Sequence, residues 1–225
     1  MWNNLEFSWV NKIILITGGA GFIGSHTCLL LLELGYKVIV IDSFVNSSRK
    51  SLERVQLILK NKNINLSNRL KVVEGDLCNI KNLREIFEAT NKNGQFIEGV
   101  IHFAGFKSIQ ESINEPLKYW ENNLIGTLNL PNVMKAYDCR LLIFSSTAAL
   151  YQTSNAHIFK ESSPKSPSNP YGETKLTIER ILESLYKSIP NYWKIANLRY
   201  LIQSVVITPV LLARILYINQ LTFFL

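Results

Sequence analysis

The sequence predicts an α/β fold with a doubly wound parallel sheet, covered by helices on both faces. Short apolar runs rich in β-branched residues alternate with helical patterns from Lys12 to Tyr200. These runs are continuously apolar, which is typical of strands buried on both faces. A glycine-rich turn joins the first predicted strand to the first helix. We therefore predict one domain at residues 12–200, after an N-terminal extension at residues 1–11.

The predicted elements alternate between strand and helix along the domain. The strands are KIILIT, KVIVID, RLKVVEGD, EGVIHFAG, RLLIFSS and KIANLRY. Helices are predicted for GSHTCLLLLELG, for Arg49–Lys60, for IKNLREIFEAT, for Pro116–Tyr137, and from Pro170 to about Ser188. Gly35 ends the first of these helices and Pro170 opens the last, in keeping with the preferences of helix termini. The segment KESSPKSPSNP is predicted to be a loop because of its Ser and Pro content.

Charge and cysteine content argue against several classes of protein. The 225-residue chain carries a net charge of +7, but its Lys and Arg residues are scattered, so we predict no nucleic-acid binding. Cys28, Cys78 and Cys139 are widely spaced and lack C-x-x-C pairing, which predicts reduced thiols, a cytoplasmic protein and no metal site. The N-terminus MWNNLEFSWVNK lacks a basic region followed by an apolar run, so no signal peptide is predicted.

The turn ITGGAGFIG holds two overlapping glycine patterns, Gly19-x-Gly21-x-x-Gly24 and Gly18-x-x-Gly21-x-x-Gly24. Glycines here permit a tight turn and let the backbone approach a pyrophosphate, which the following helix N-terminus can bind. A glycine pattern alone is a weak signal. The strand before it and the helix after it make a Rossmann-type dinucleotide site the favoured interpretation over a turn that binds no ligand.

Asp42 ends the second predicted strand, where its carboxylate is placed to accept hydrogen bonds from the adenosine ribose. The same carboxylate would repel the 2′-phosphate of NADP. The sequence therefore predicts NAD as the cofactor.

Tyr171 and Lys175 lie four residues apart on a predicted helix, in SNPYGETK, so their side chains share one face. A free Tyr has a pKa of about 10 and is a poor base at neutral pH. A nearby ammonium and an oxidised nicotinamide would lower that pKa, so that Tyr171 can accept a hydroxyl proton as hydride leaves to NAD. Thr147, in IFSSTAALY, is placed to hydrogen-bond the substrate oxygen. An ordinary amphipathic helix is the alternative for the Tyr–Lys pair.

With these motifs the chain resembles the extended short-chain dehydrogenase/reductase superfamily and, within it, the UDP-glucose 4-epimerase family. HFAGFKSIQES and NNLIGT resemble the epimerases specifically. Sugar dehydratases usually carry acidic residues directly after the Thr, whereas Ala148 and Ala149 follow it here. The other matching segments are ITGGAGFIGSHTC, IDSFVNSS, EGDLCN, PLKYWENNLIGTLNL, FSSTAALY, NPYGETK and LRY.

The resemblance implies roles for individual residues. The pyrophosphate turn would be formed by Gly18, Gly21, Phe22, Ile23 and Gly24. The adenosine would be surrounded by Asp42, Ser43, Phe44, Val45, Asn46 and Ser47, and the adenine flanked by Asp76 and Leu77. The ribose and phosphate side of the cofactor would be lined by Phe103, Ala104, Gly105, Phe106, Lys107 and Asn122. The catalytic residues would be Thr147, Tyr171 and Lys175.

The family oxidises C4 of a UDP-sugar, lets the 4-keto sugar rotate and returns hydride to its other face. The resemblance therefore implies UDP-glucose and UDP-galactose as substrates and a homodimer for the full-length protein. Leu150 and Gln152 stand where the family usually has Val and Gly, which is expected to disturb that loop locally.

Residues 201–225 depart from the family, which continues LRY with F-N-P-V-G and then builds a C-terminal substrate domain that binds UDP. A membrane anchor is one interpretation of this apolar tail, but a central Arg214 would cost about 2.5–3.5 kcal/mol on insertion. A native strand–helix ending is another. A third is a reading-frame slip, because one T added before suitable codons for Leu201–Val210 yields F-N-P-V-G-S-H-H-S-G. We expect the slip, and hence a truncated chain with an aberrant hydrophobic tail and no substrate domain.

Several functions stay open on the sequence alone. The chain is a UDP-glucose 4-epimerase by lineage, an NAD-binding remnant without turnover, another nucleotide-sugar epimerase or dehydratase, or a membrane-tethered protein. Because remote binding energy positions a nucleotide sugar, a chain without the UDP-binding domain is expected to be inactive or nearly so.

Overall fold

The computed structural model of the chain describes residues 11–151, 160–189 and 191–200. Six strands form one parallel sheet in the order β3-β2-β1-β4-β5-β6. They are β1 (Ile13–Thr17), β2 (Lys37–Asp42), β3 (Leu70–Glu74), β4 (Ile97–His102), β5 (Leu141–Thr147) and β6 (Lys194–Tyr200). All six predicted strands are confirmed. The tail at 201–225, Gln152 and the predicted extension before Asn11 lie outside the described residues.

The helices connect successive strands and cover the sheet. They are α1 (Phe22–Glu33), α2 (Arg49–Asn61), α3 (Ile80–Lys92), α4 (Ile109–Asn114), α5 (Pro116–Trp120), α6 (Gly126–Ala136) and α7 (Pro170–Ser188). The helix predicted for Pro116–Tyr137 is interrupted by a π-helical turn at Glu121–Ile125. The short helix α4 was not predicted, because its six residues are too few to display a helical period.

Alternate residues of the central strands point to opposite faces of the sheet and build two apolar cores. One core joins β1 and β2 to α1 and α2, through Ile14, Ile16, Val38, Val40, Leu31, Leu52 and Leu59. The other joins the same strands to α3, α6 and α7, through Leu15, Ile41, Leu83, Phe87, Leu130, Met134, Ile178 and Leu182. Each such side chain contributes about 1.5–3 kcal/mol by leaving water. The continuous apolar runs of the sequence therefore reflect strands covered on both faces.

Polar residues fix the start of three helices. The side chains of Ser48, Asn79 and Asn169 accept hydrogen bonds from backbone N–H groups in the first turns of α2, α3 and α7. Pro170 follows Asn169 at the first position of α7, where its missing N–H costs nothing. This cap sets where Tyr171 enters the helix.

Leu150, one of the departures from the family pattern, lies in a short 3₁₀ turn at Ala148–Leu150 after β5. Its side chain is fully buried against the neighbouring Tyr151 and against Leu176, which lies in α7. The larger side chain is therefore accommodated by packing at this position.

Candidate active site

A cavity of about 310 Å³ lies at the carboxyl ends of the central strands. The strand order reverses between β1 and β4, and ligands of open α/β sheets bind in the crevice at this switch point. The turns after β1, β2, β3 and β4 and the π-helical turn all contribute walls. The fold thus brings five separate segments of the sequence to one site.

The glycine turn forms the floor of this cavity with no room for side chains. Gly18 has φ of +67°, and a Cβ there would lie 2.6 Å from the backbone nitrogen of Ala104. A Cβ on Gly24 would lie 2.3 Å from the Gly18 carbonyl oxygen, so α1 could not approach the turn. Gly21 is the N-cap of α1, and a Cβ there would lie 3.3 Å from the Gly18 carbonyl oxygen. The turn therefore exposes backbone N–H groups and a helix N-terminus, which suits a pyrophosphate.

Asp42 is buried at the end of β2, with 7% of its surface exposed. Its Oδ2 accepts the backbone N–H of Ala20 at 2.9 Å. Its Oδ1 accepts the backbone N–H of Phe44 at 3.0 Å and the hydroxyl of Ser47 at 2.8 Å. Two carboxylate oxygens offer about four acceptor positions, so room remains for a ribose hydroxyl. Asp42 therefore joins the glycine turn to the loop after β2 and fixes its own orientation at the cavity wall.

Most of the residues predicted to bind the cofactor line the cavity. They are Gly18, Gly21, Phe22, Asp42, Ser43, Asn46, Ser47, Asp76, Leu77, Phe103, Ala104, Gly105, Phe106, Lys107 and Asn122. The lining also contains residues that the sequence did not single out: Ala20, Ile41, Gly75, His102 and Gly126. All five sit inside the motifs quoted above, so their place in those motifs was the available signal.

Four predicted residues are not part of the cavity lining. Gly24 is packed against the glycine turn, and Ile23 of α1 packs against the apolar core between α1 and the sheet. Phe44 packs on the same core, and the Arg49 guanidinium lies 4.3 Å from its ring centroid. Val45 is exposed to solvent. These positions shape the turn and the loop.

The three predicted catalytic residues lie beside this cavity at the ends of β5 and α7, outside its lining. Tyr171 is hydrogen-bonded to the Thr147 hydroxyl. Burial raises the pKa of Tyr171, and the Thr147 hydrogen bond opposes that shift. In the protein alone, burial disfavours the phenolate more strongly than the Thr147 hydrogen bond favours it, and the lowering predicted from sequence included an oxidised nicotinamide beside the phenol.

Lys175 is buried on the same helix, and its ammonium donates to the Ser145 carbonyl oxygen at 3.0 Å. The ammonium also lies 4.7 Å from the centroid of the Phe144 ring. Burial lowers the pKa of Lys175 to about 8. A Cβ added to Gly105 would be 3.6 Å from the Lys175 Nζ atom, so the ammonium lies next to this glycine of the cavity lining. The helix that holds Tyr171 and Lys175 therefore approaches the cavity at Lys175.

A metal-binding cluster and a membrane-spanning helix are both absent from the part of the chain that the structure describes. No group of three or more His, Cys, Asp and Glu side chains in these residues is placed to hold a metal ion. Among the helices that the structure describes, none has both the length and the apolarity to cross a bilayer. Cys28, Cys78 and Cys139 are all free thiols.

Strand order, glycine turn and Tyr–Lys helix together define a dinucleotide-binding domain of the short-chain dehydrogenase/reductase class. The family model described as GDP-mannose 4,6 dehydratase matches residues 15–199. The chain belongs to this family, which confirms the resemblance to the extended superfamily of nucleotide-sugar enzymes.

Individual relatives carry the name of an epimerase. UDP-glucose 4-epimerase 2 of Arabidopsis thaliana is 44% identical over 189 residues, which are 84% of this chain and 51% of that protein. The UDP-glucose 4-epimerase of Bacillus subtilis is 43% identical over 187 residues, or 83% of this chain and 51% of that protein. The chain therefore spans about half the length of these relatives.

A solved structure confirms the Rossmann-type fold. UDP-glucose 4-epimerase from Bifidobacterium longum, crystallised with NAD⁺ and UDP, superposes with a TM-score of 0.75 at 39% identity. The match covers 84% of this chain and 53% of that one. The fold described here is thus similar to about half of that epimerase chain.

Proposed function

We propose that this chain is the NAD-binding and catalytic half of a UDP-glucose 4-epimerase. The observation that carries the proposal is the position of the Lys175 ammonium next to Gly105 of the cavity lining, on the helix that also holds Tyr171. The relatives from Arabidopsis thaliana and Bacillus subtilis support the same activity, and the Bifidobacterium longum enzyme supports the cofactor. Another nucleotide-sugar epimerase or dehydratase of the family is the nearest alternative.

The residues of the cavity suit NAD in three places. The glycine turn leaves a cradle that a side chain would fill, next to the N-terminus of α1, and this suits the pyrophosphate. Asp42 keeps acceptor capacity for a ribose hydroxyl and presents a negative charge against a 2′-phosphate. Asp76 and Leu77 line the part of the cavity assigned to the adenine. Phe103–Lys107 and Asn122 line the part assigned to the ribose and phosphates.

When bound, NAD supplies the acceptor for a hydride from the sugar. The chain's own contribution is the movement of a proton between the sugar 4-hydroxyl and Tyr171, with Thr147 holding the same oxygen. The raised pKa of Tyr171 keeps the phenol protonated in the protein alone. A positive nicotinamide nearby would favour the phenolate, so we propose that Tyr171 becomes a base when the oxidised cofactor is bound.

Lys175 supports both tasks. A buried ammonium whose pKa is about 8 remains mainly protonated at neutral pH and favours an adjacent phenolate. Its position near Gly105 supports the proposal that it donates to the nicotinamide ribose. Substitution of Lys175 should therefore impair both cofactor binding and proton transfer.

The finer assignments remain proposals. A UDP-sugar would occupy the space beside Thr147 and Tyr171. A full-length protein of the relatives' size is expected to be a homodimer, and the three free thiols agree with a cytoplasmic location. An NAD-binding protein without turnover is the second candidate, because the lined cavity accounts for the cofactor while Thr147, Tyr171 and Lys175 lie outside its lining.

Conversion of UDP-galactose to UDP-glucose, measured with a coupled assay, separates the two candidates. NAD binding without conversion by these 225 residues would favour the second. A version extended to the relatives' length is expected to convert the substrate, and its Tyr171→Phe variant is the inactive control. Failure of the extended version to convert either UDP-sugar would contradict the proposed epimerase activity.

A further inference from the structure

His102 is a buried histidine at the end of β4 that the proposed chemistry does not use. Its Nδ1 atom lies 2.6 Å from the Thr17 hydroxyl oxygen, at the end of β1. Its Nε2 atom lies 2.8 Å from the Thr127 hydroxyl oxygen, in α6. The ring also packs against Phe144 of β5, with the centroids 5.7 Å apart. One side chain thus connects three strands and a helix directly beneath the cavity.

The partners of the two threonines fix which ring nitrogen carries the proton. Thr127 donates its one hydroxyl proton to the Asn123 carbonyl oxygen at 2.6 Å, so towards His102 it can only accept. Thr17 accepts the backbone N–H of Ala104 at 3.3 Å and keeps its proton for the histidine. His102 therefore donates through Nε2–H and accepts at Nδ1.

Both ends of this chain of hydrogen bonds reach the same loop. We name the segment Phe103–Phe106, which lines the cavity, the cofactor loop. At its start, the Ala104 N–H is held by Thr17. At its end, Asn123 accepts the Phe106 N–H at 2.8 Å and donates to the Phe106 carbonyl oxygen at 3.0 Å.

The second clamp also reaches the catalytic helix. The Asn123 amide donates to the Thr174 hydroxyl oxygen at 3.3 Å, one residue before Lys175. The Asn123 carbonyl oxygen is in turn the acceptor for Thr127, whose hydroxyl receives the His102 proton. The imidazole is therefore bonded directly to Thr17, which holds Ala104, and is linked through Thr127 to the backbone of Asn123, which holds Phe106.

We propose that His102 is a positioning residue which, as the neutral Nε2–H imidazole, holds the cofactor loop in the shape that binds the nicotinamide half of NAD. A protonated ring would carry a donor at Nδ1, and the buried Thr17 hydroxyl proton would then lose its acceptor. The geometry thus requires a neutral ring. Burial, aided by the positive charge of Lys175, lowers the pKa of His102 to about 3, so the imidazole stays neutral at neutral pH.

The proposal rests on NAD binding in this cavity, and a first measurement tests it independently of the cofactor. In ¹⁵N-histidine spectra of the 225-residue chain, the His102 signals are identified by their loss in the His102→Gln variant. From about pH 5 to about pH 8 they should remain those of a neutral Nε2–H ring, whereas an ordinary histidine titrates within that range. Titration within that range, or a proton on Nδ1, would overturn the assignment.

A second measurement compares NAD affinity by calorimetry across four variants. His102→Phe keeps a ring against Phe144 but removes both hydrogen bonds, and Thr127→Val removes one acceptor. Each is expected to weaken NAD binding by about tenfold or more, since each leaves buried partners unpaired. His102→Gln, whose amide retains a donor and an acceptor, should recover most of the affinity.

Thr90→Val is the matched control for Thr127→Val. Thr90 is equally buried in α3 and donates to a carbonyl oxygen four residues earlier, the same bond that Thr127 makes in α6. It should leave NAD affinity and the backbone amide signals of Ala104 and Phe106 unchanged, while Thr127→Val shifts both signals. Wild type that binds no NAD would contradict the proposed function. Wild type and His102→Phe with equal affinity would contradict the positioning role alone.

Discussion

Replacement of Asp42 by Asn tests how one carboxylate serves both the fold and the cofactor. The structure gives it three donors: the Ala20 N–H, the Phe44 N–H and the Ser47 hydroxyl. An amide keeps one acceptor oxygen. If that oxygen stays with Phe44 and Ser47, the amide nitrogen faces the Ala20 N–H, donor against donor. The free energy of unfolding should fall by about 1–3 kcal/mol, the cost of one buried unpaired donor.

The loss of charge should also weaken NAD binding. A hydrogen bond from a ribose hydroxyl to a carboxylate contributes about 1.5–3 kcal/mol, so the variant should bind NAD about tenfold to hundredfold more weakly. Discrimination against NADP should narrow, because no negative charge repels the 2′-phosphate. Calorimetric titration gives the affinities, and urea unfolding shows that the variant is folded under the same conditions.

Glu74 provides the matched control for Asp42. It lies opposite Asp42 in the parallel register of β2 and β3, also at the carboxyl edge of the sheet. Its side chain is 63% exposed and pairs with Arg49 at the surface, outside the cavity lining. Glu74→Gln should leave NAD affinity unchanged. Equal affinity of Asp42→Asn and wild type for NAD would refute the assignment of Asp42.

Four further predictions follow from the site. Gly24→Ala should abolish NAD binding, because its Cβ would lie 2.3 Å from the Gly18 carbonyl oxygen. Gly94→Ala is the control: its Cβ would meet nothing within 4 Å, so it should bind NAD normally and lose only some stability because φ there is +67°. The free energy of unfolding of wild type relative to Lys175→Met should rise between about pH 8 and about pH 10. Burial lowers the pKa of Lys175 in the folded state, so over this range the unfolded chain binds more protons than the folded one. Urea unfolding across the range measures this difference, and a difference that does not change with pH would contradict a buried ammonium. In a version extended to the relatives' length, Tyr171→Phe should lower turnover by about 10²–10⁴-fold while bound NAD, read by absorbance, is retained; near-normal conversion of UDP-galactose would remove Tyr171 from the base role. Sequencing the coding DNA around the codon for Tyr200 should reveal a neighbouring frame that continues F-N-P-V-G, and a neighbouring frame that encodes no such continuation would rule out the slip.

The sheet could be predicted from sequence because each strand carries its own signal. KVIVID matches β2 residue for residue because its apolar run is bounded by Lys37 and Asp42, and KIANLRY matches β6 although Asn197 and Arg199 interrupt its apolar residues. The π-helical turn at Glu121–Ile125 could not be predicted from the sequence. It is stabilised by tertiary hydrogen bonds that join the Asn123 side chain to Phe106 and Thr174. Local patterns do not encode such contacts.

The site was predictable where a motif specifies backbone shape and less so where burial decides chemistry. The glycine turn and the end of β2 required glycines and an acidic residue at fixed positions. The pKa directions depended on packing: burial raises that of Tyr171 and lowers that of Lys175, and neither follows from their four-residue spacing. His102 escaped notice because a single histidine at a strand end has meaning only once both of its threonine partners are known.

A crystal structure of the chain soaked with NAD would test the central claim most directly. The account predicts the pyrophosphate against the turn at Gly18–Gly21, a ribose hydroxyl hydrogen-bonded to Asp42, and the nicotinamide between the cofactor loop and Tyr171. A cavity that stays empty at a saturating NAD concentration would contradict this prediction, and so would a dinucleotide bound elsewhere on the chain.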